Sequence, residues 1–157
     1  MTDLRPGVRL AVDWGDVRIG IAACDPDAVL AYPLATVRAG PTELTDLAAL
    51  VAEHRPIEVL VGLPRSLRGA DGPAATKARE RASRLAAALP VPVRLVDERL
   101  TTVTAADQLH AAGKRARQQR GSIDAAAAAV ILDQALAFER GRGEPPGELV
   151  SAPGGRG

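Results

Sequence analysis

A chain of 157 residues, 46% of them hydrophobic, is long enough for one domain with a real core. Only 2% of the residues are aromatic, so that core must be Ala, Val, Leu and Ile, and general single-strand binding by stacking bases on rings is argued against. Twenty Lys and Arg stand against 19 acidic residues, which excludes a uniformly basic coat for nucleic acid; a polyanion would have to meet a local basic patch.

Residues 1–7 are polar, end in Pro-Gly and read as a flexible lead-in. The apolar run Val8 to Val12 predicts a strand, with Asp13 at its end. Trp14-Gly15-Asp16 makes a turn, and Val17 to Cys24 returns as the second strand of a hairpin. Leu30 to Val37 reads as a third strand, placed at a sheet edge by Pro33. Thr42 to His54 has helical spacing, with Leu44, Leu47, Leu50 and Val51 on one side and Pro56 beyond its end. Ile57 to Val61 is a short continuous apolar run, as for a strand buried on both faces. A long loop with Gly69 and Gly72 follows, and Pro73 suits the start of a helix over Ala74 to Leu89. Val93 to Val96 is a fifth strand, succeeded at once by Asp97-Glu98-Arg99. Thr102 to Ala112 reads as a third helix, Lys114 to Arg120 as a basic loop, and Ile123 to Phe138 as a final Ala-rich helix. Residues 139–157 are Gly, Pro and charge without periodicity and read as a disordered tail, leaving 8–138 as the folded domain.

Three strands followed by alternating helix and strand predict an α/β domain, a mixed five-stranded sheet flanked by helices. Right-handed crossovers set the fourth and fifth strands parallel to the first. Ligands in such sheets bind beyond the carboxyl ends of strands, where both Asp13 and Glu98 fall. A carboxylate abutting a buried strand is costly unless it is paired or bound to a metal, which singles out Asp13. Asp97 and Glu98 should point to opposite faces, so only one of them can share a site with Asp13 while the strand holds. Asp124 opens the last helix and can face the sheet; Asp133, at about 100° per residue, falls on the opposite side and faces water. Three carboxylates from distant segments would make a hard-cation site for Mg²⁺ or Mn²⁺, whereas His54 and His110 lie far apart and zinc is poorly served. Each acid also has a plain structural explanation: Asp124 suits a first helical turn, and Asp97 and Glu98 suit a solvated turn.

The segment from Asp13 through Trp14, Gly15, Arg18, Ile19 and Gly20 to Ala22 resembles the opening motif of the YqgF/RuvX family. Val61-Gly62-Leu63-Pro64 with Gly69 and Gly72, then Asp97-Glu98-Arg99-Leu100-Thr101-Thr102, then Asp124-Ala125-Ala126 with Ile131-Leu132, are similar to its second, third and fourth motifs, in order. Arg68 departs from the pattern, where an acidic or polar residue is more usual before the glycine. The resemblance implies a ribonuclease-H-like fold related to Holliday-junction resolvases. It also implies a metal-dependent nuclease, acting in maturation of the 5′ end of pre-16S rRNA or on branched DNA, with Asp13, Glu98 and Asp124 as catalytic acids and metal ligands.

The remaining expectations concern substrate and setting. Gly15 and Gly20 suit a tight hairpin, and Gly15 leaves room for a phosphate near Asp13. Arg18 would contact the substrate backbone or pair with Asp16. Trp14 reads as core rather than as a stacking platform. Arg65 and Arg68 on the long loop, Arg99 beside the third motif, and Lys114, Arg115, Arg117 and Arg120 before Asp124 are phosphate-binding candidates. Cys24 lacks a partner for an internal disulfide and reads as a small buried hydrophobe. No signal peptide or membrane span is expected, so the location is read as cytoplasmic. A homodimer would suit a two-fold junction. Two other classes compete: a non-catalytic nucleic-acid-binding module, and an ATPase or sugar-kinase domain, for which the chain is short.

Overall fold

The computed structural model describes residues 5–28, 30–64, 72–97 and 123–150, with the side chains of Ile123 and Asp124 excepted. Chain order is β1 (Arg9–Trp14), β2 (Arg18–Cys24), β3 (Ala31–Arg38), α1 (Glu43–His54), β4 (Glu58–Leu63), α2 (Pro73–Ala88), β5 (Val93–Asp97), α3 (Ile123–Arg142) and β6 (Glu148–Leu149). The expected helix over Thr102 to Ala112 lies outside the described residues.

The sheet runs β3-β2-β1-β4-β5-β6. β1, β2 and β3 form an antiparallel meander, and β4 and β5 join parallel to β1, as right-handed crossovers require. β3 is the edge strand, and its register slips between Ile21 and Ala22, which pair with Ala35 and Pro33. The bulge takes up the missing amide donor of Pro33 on a strand with one unpaired side.

Strand parity sorts the core into two layers. Leu10, Val12, Ile19, Ile21, Val59, Val61, Leu63, Val93 and Leu95 face α1 and α2, where Leu47, Val51, Ala78, Ala82 and Leu85 meet them. Ala11, Ala22, Cys24, Leu60 and Val96 face α3, through Ala128, Ala129, Leu132, Ala135 and Leu136. Small residues on both sides let the helix lie close to the sheet, and tight dispersion contact stands in for the missing aromatic volume. Cys24 is fully buried in this layer, and burial pushes its thiol pKa up.

Two boundaries differ from expectation. The sheet has six strands rather than five, because Glu148 and Leu149 pair antiparallel with Leu95 and Arg94. The segment from residue 139, expected to be disordered, instead continues α3 to Arg142 and then supplies β6. Glu139 is the reason: its side chain is 2% exposed and accepts hydrogen bonds from Arg5 Nη2 at 2.7 Å and Arg9 Nη2 at 2.9 Å. Arg5 also donates to Glu58 at 2.7 Å, and Arg94 Nε donates to the other Glu58 oxygen at 2.9 Å. The lead-in is thereby fastened at Arg5 to the sheet and to α3. Burying charges this way requires such mutual pairing. Asp133 does not simply face water either, since its Oδ1 accepts the Ala31 amide at 3.1 Å and ties α3 to the start of β3.

Candidate functional site

Asp13 is half buried near the carboxyl end of β1, opposite Gly20 of β2. Its parity is that of Ala11, so its side chain belongs to the α3 face. Trp14 takes the other face: it packs against the α1/α2 core, and its indole Nε1 donates to Glu43 at 3.3 Å. The core reading of Trp14 therefore holds. The hairpin closes with the Gly15 amide donating to the Arg18 carbonyl at 3.1 Å. A Cβ at Gly15 would come within 2.5 Å of that carbonyl oxygen, so the turn tolerates only glycine without shifting.

Helix α3 runs against the direction of β1. Its carboxyl end meets Arg9 through Glu139, at the foot of the strand. From there the helix rises about 22 Å back to Asp124, whereas β1 climbs about 13 Å from Arg9 to Asp13. The backbone of Asp124 thus stands at the same edge of the sheet as Asp13 and past its level. On β5, Val96 packs in the α3 layer, so Asp97 has the opposite parity and does not share the face of Asp13.

Of the other residues singled out by sequence, Gly15 and Arg18 are described. Arg18 is exposed at the start of β2, on the Asp13 face and paired in register with the exposed Arg38 of β3. Asp16, the other partner considered for it, binds Lys77 and Arg81 of α2. Glu98, Arg65, Arg68, Arg99, Lys114, Arg115, Arg117 and Arg120 lie outside the described residues. Among the described residues no three His, Cys, Asp or Glu side chains come together as a metal site. Asp13 alone of the proposed acids has a described side chain. It offers carboxylate oxygen, and among the described residues no imidazole lines the cleft beside it; carboxylate oxygen is the donor a hard divalent cation takes.

A cleft of about 440 Å³ opens beside Asp13, between the hairpin turn, Gly62 and the first turns of α2. Sequence reasoning missed its cations. Lys77 Nζ and Arg81 Nη2 both donate to Oδ1 of Asp16, at 3.1 and 2.8 Å. The Arg81 hydrogen bond, aided by Lys77, lowers the Asp16 pKa. Arg81 Nη1 also donates to the Trp14 carbonyl at 3.1 Å, and the guanidinium lies 5.8 Å from the Trp14 ring centroid. The usable signal was the four-residue spacing of Lys77 and Arg81, which puts both on one helical face.

The family model described as RuvX, Holliday junction resolvase, matches residues 7–137. The chain belongs to the RuvX family. A protein of Streptomyces coelicolor named "Putative pre-16S rRNA nuclease" is 57% identical over 150 residues, covering 94% of this chain and 90% of that one. A protein of Thermobifida fusca with the same name is 55% identical over 159 residues, covering 94% and 98%. Among solved structures, T. thermophilus RuvC in complex with a Holliday junction substrate aligns with a TM-score of 0.59 at 17% identity, covering 88% of this chain and 99% of that one. At that identity the likeness speaks for the fold, and the fold is the ribonuclease-H-like one expected. Among the described residues no helix is long and apolar enough to cross a membrane.

Proposed function

We propose that this RuvX-family chain is a nuclease that hydrolyses nucleic-acid phosphodiesters, with Asp13, Glu98 and Asp124 as the acids that hold Mg²⁺ or Mn²⁺. The observation that carries this reading is the placement of Asp13: a half-buried carboxylate at the carboxyl end of a central strand, on the face and edge toward which α3 brings Asp124. Asp97, the last residue of β5, has the parity opposite to that of Asp13, which argues against it as the third acid. When bound, divalent cations at such acids supply Lewis acidity for the scissile phosphate and the attacking water.

The chain's own residues do the positioning. Asp13 is fixed by β1, which is paired on both sides, so its carboxylate enters the site already oriented. Gly15 keeps the turn beside it free of a side chain. Arg18, on the same face, meets the substrate backbone, and Arg38 next to it adds a second charge. Arg65, Arg99, Lys114, Arg115, Arg117 and Arg120 extend this contact from the flanking segments.

The substrate we favour is the 5′ end of precursor 16S rRNA, supported by the names of relatives more than half identical to this chain. That substrate places the protein in the cytoplasm. A second reading, cleavage of branched DNA by a homodimer, is supported by the family description. Side-by-side assays on precursor 16S rRNA and a four-way DNA junction, with Mg²⁺, discriminate them. Cleavage of the RNA at its mature 5′ end, with the junction intact, is the expected result; junction cleavage with the RNA intact selects the second reading.

A further inference from the structure

We propose that Lys77 and Arg81 form a phosphate subsite that grips the nucleic-acid backbone next to the bond presented to Asp13, with the Asp16 carboxylate as an internal stand-in that the substrate displaces. This rests on the nuclease reading and adds a binding element outside its catalytic acids.

The geometry is that of an anion site. Two cationic side chains from successive turns of α2 converge on one oxygen, Oδ1 of Asp16, at 3.1 and 2.8 Å. Convergent charged donors on a single oxygen are how Lys and Arg hold phosphate. The two sides of the contact differ in freedom. The Arg81 side chain is 15% exposed and is held by the Trp14 carbonyl and ring, whereas Asp16 is 70% exposed on a hairpin turn. Arg81 is therefore fixed in place, whereas Lys77, 53% exposed, and Asp16 can both re-orient, so the carboxylate can give way to another anion on the same two cations. Two positive charges face one carboxylate, so the contact keeps an excess cation that a phosphodiester or a doubly charged terminal phosphate can use.

Stability does not account for the arrangement. Ion pairs to so exposed a carboxylate contribute little, because water and salt screen them. Location does account for it. Lys77, Arg81 and Asp16 line the cleft that Asp13 also borders at the carboxyl edge of the sheet, so a strand with one phosphate at Asp13 meets them where it rounds that edge toward α2.

The test uses opposite signs. Binding of a fluorescently labelled RNA carrying the precursor 16S 5′ junction is measured by anisotropy across a salt series, with Ca²⁺ in place of Mg²⁺. Lys77→Met is expected to weaken binding by about tenfold and to lower the slope of log affinity against log salt by about one. Asp16→Asn removes the competitor and is expected to tighten binding severalfold. If the trio merely braces the hairpin, both variants loosen the same turn and shift binding in the same direction; that result, no shift in either, or no RNA binding by the wild type overturns the proposal. A wild type that binds RNA with this opposite-sign pattern yet cleaves neither RNA nor junction would leave the subsite standing and remove the nuclease reading instead.

Discussion

One residue's parity separates core from chemistry at the end of β1. Val12 and Trp14 go to the α1/α2 layer, while Ala11 and Asp13 go to the α3 layer, so a one-residue slip would bury the carboxylate and expose the indole. The β1–β2 hairpin fixes that register through Gly15, whose Cβ would strike the Arg18 carbonyl oxygen. Gly15→Ala is accordingly expected to cost roughly 1–3 kcal/mol, as strained small-to-large changes do, read as a lowered denaturant midpoint; an unchanged midpoint would mean the turn relaxes freely. Asp13 and Gly15 were legible in the sequence because an apolar run that ends in an acid and a glycine carries its own explanation. The Asp16, Lys77 and Arg81 trio was not, since its members are 61 and 65 residues apart and each reads locally as an ordinary surface charge. The opposite behaviour of Lys77→Met and Asp16→Asn belongs to this scale as well.

At the scale of elements, α3 is the part whose character the sequence showed and whose length it hid. Its Ala-rich face announced a close-packed helix, but nothing near Glu139 signalled burial, because its partners Arg5 and Arg9 lie 134 and 130 residues away. Burial raises the pKa of the Glu139 carboxyl, but hydrogen bonds from the Arg5 side chain and amide and the charge of Arg9 outweigh it, and the net shift is downward. A carboxyl whose folded pKa is depressed contributes stability above its unfolded pKa and loses it as pH falls through the folded value. Glu139→Gln is therefore expected to cost about 2–3 kcal/mol near neutral pH, measured by urea denaturation. The gap between variant and wild type should close below about pH 4, under the ordinary glutamate range. A gap that stays constant down to pH 3 would contradict the assignment.

Across the whole molecule, the sheet's two edges are protected differently. β3 blunts its edge with Pro33 and a bulge, and β5 is covered by β6. A strand of two residues has no pattern to read, and it exists only because a partner edge is waiting; this is why the tail looked unstructured in sequence while the five main strands were plain from their apolar runs. Gly147, at φ +71° with its Cα turned toward the Leu95 carbonyl, lets β6 approach. Gly147→Val should release it, with amides 148–150 losing hydrogen-exchange protection while those of β1 keep theirs; retained protection would show that β6 does not depend on this turn. The third expected helix and most of the proposed basic contacts fall outside the described residues, so the site is framed by Asp13, the course of α3 and the cleft.

The most direct test of the whole account is the Mg²⁺-dependent cleavage rate of precursor 16S rRNA by Asp13→Asn against wild type, both folded. A loss of roughly a thousandfold is expected, the order seen when one group stabilising transition-state charge is removed. Cleavage at the wild-type rate by the repeatedly purified variant would contradict it.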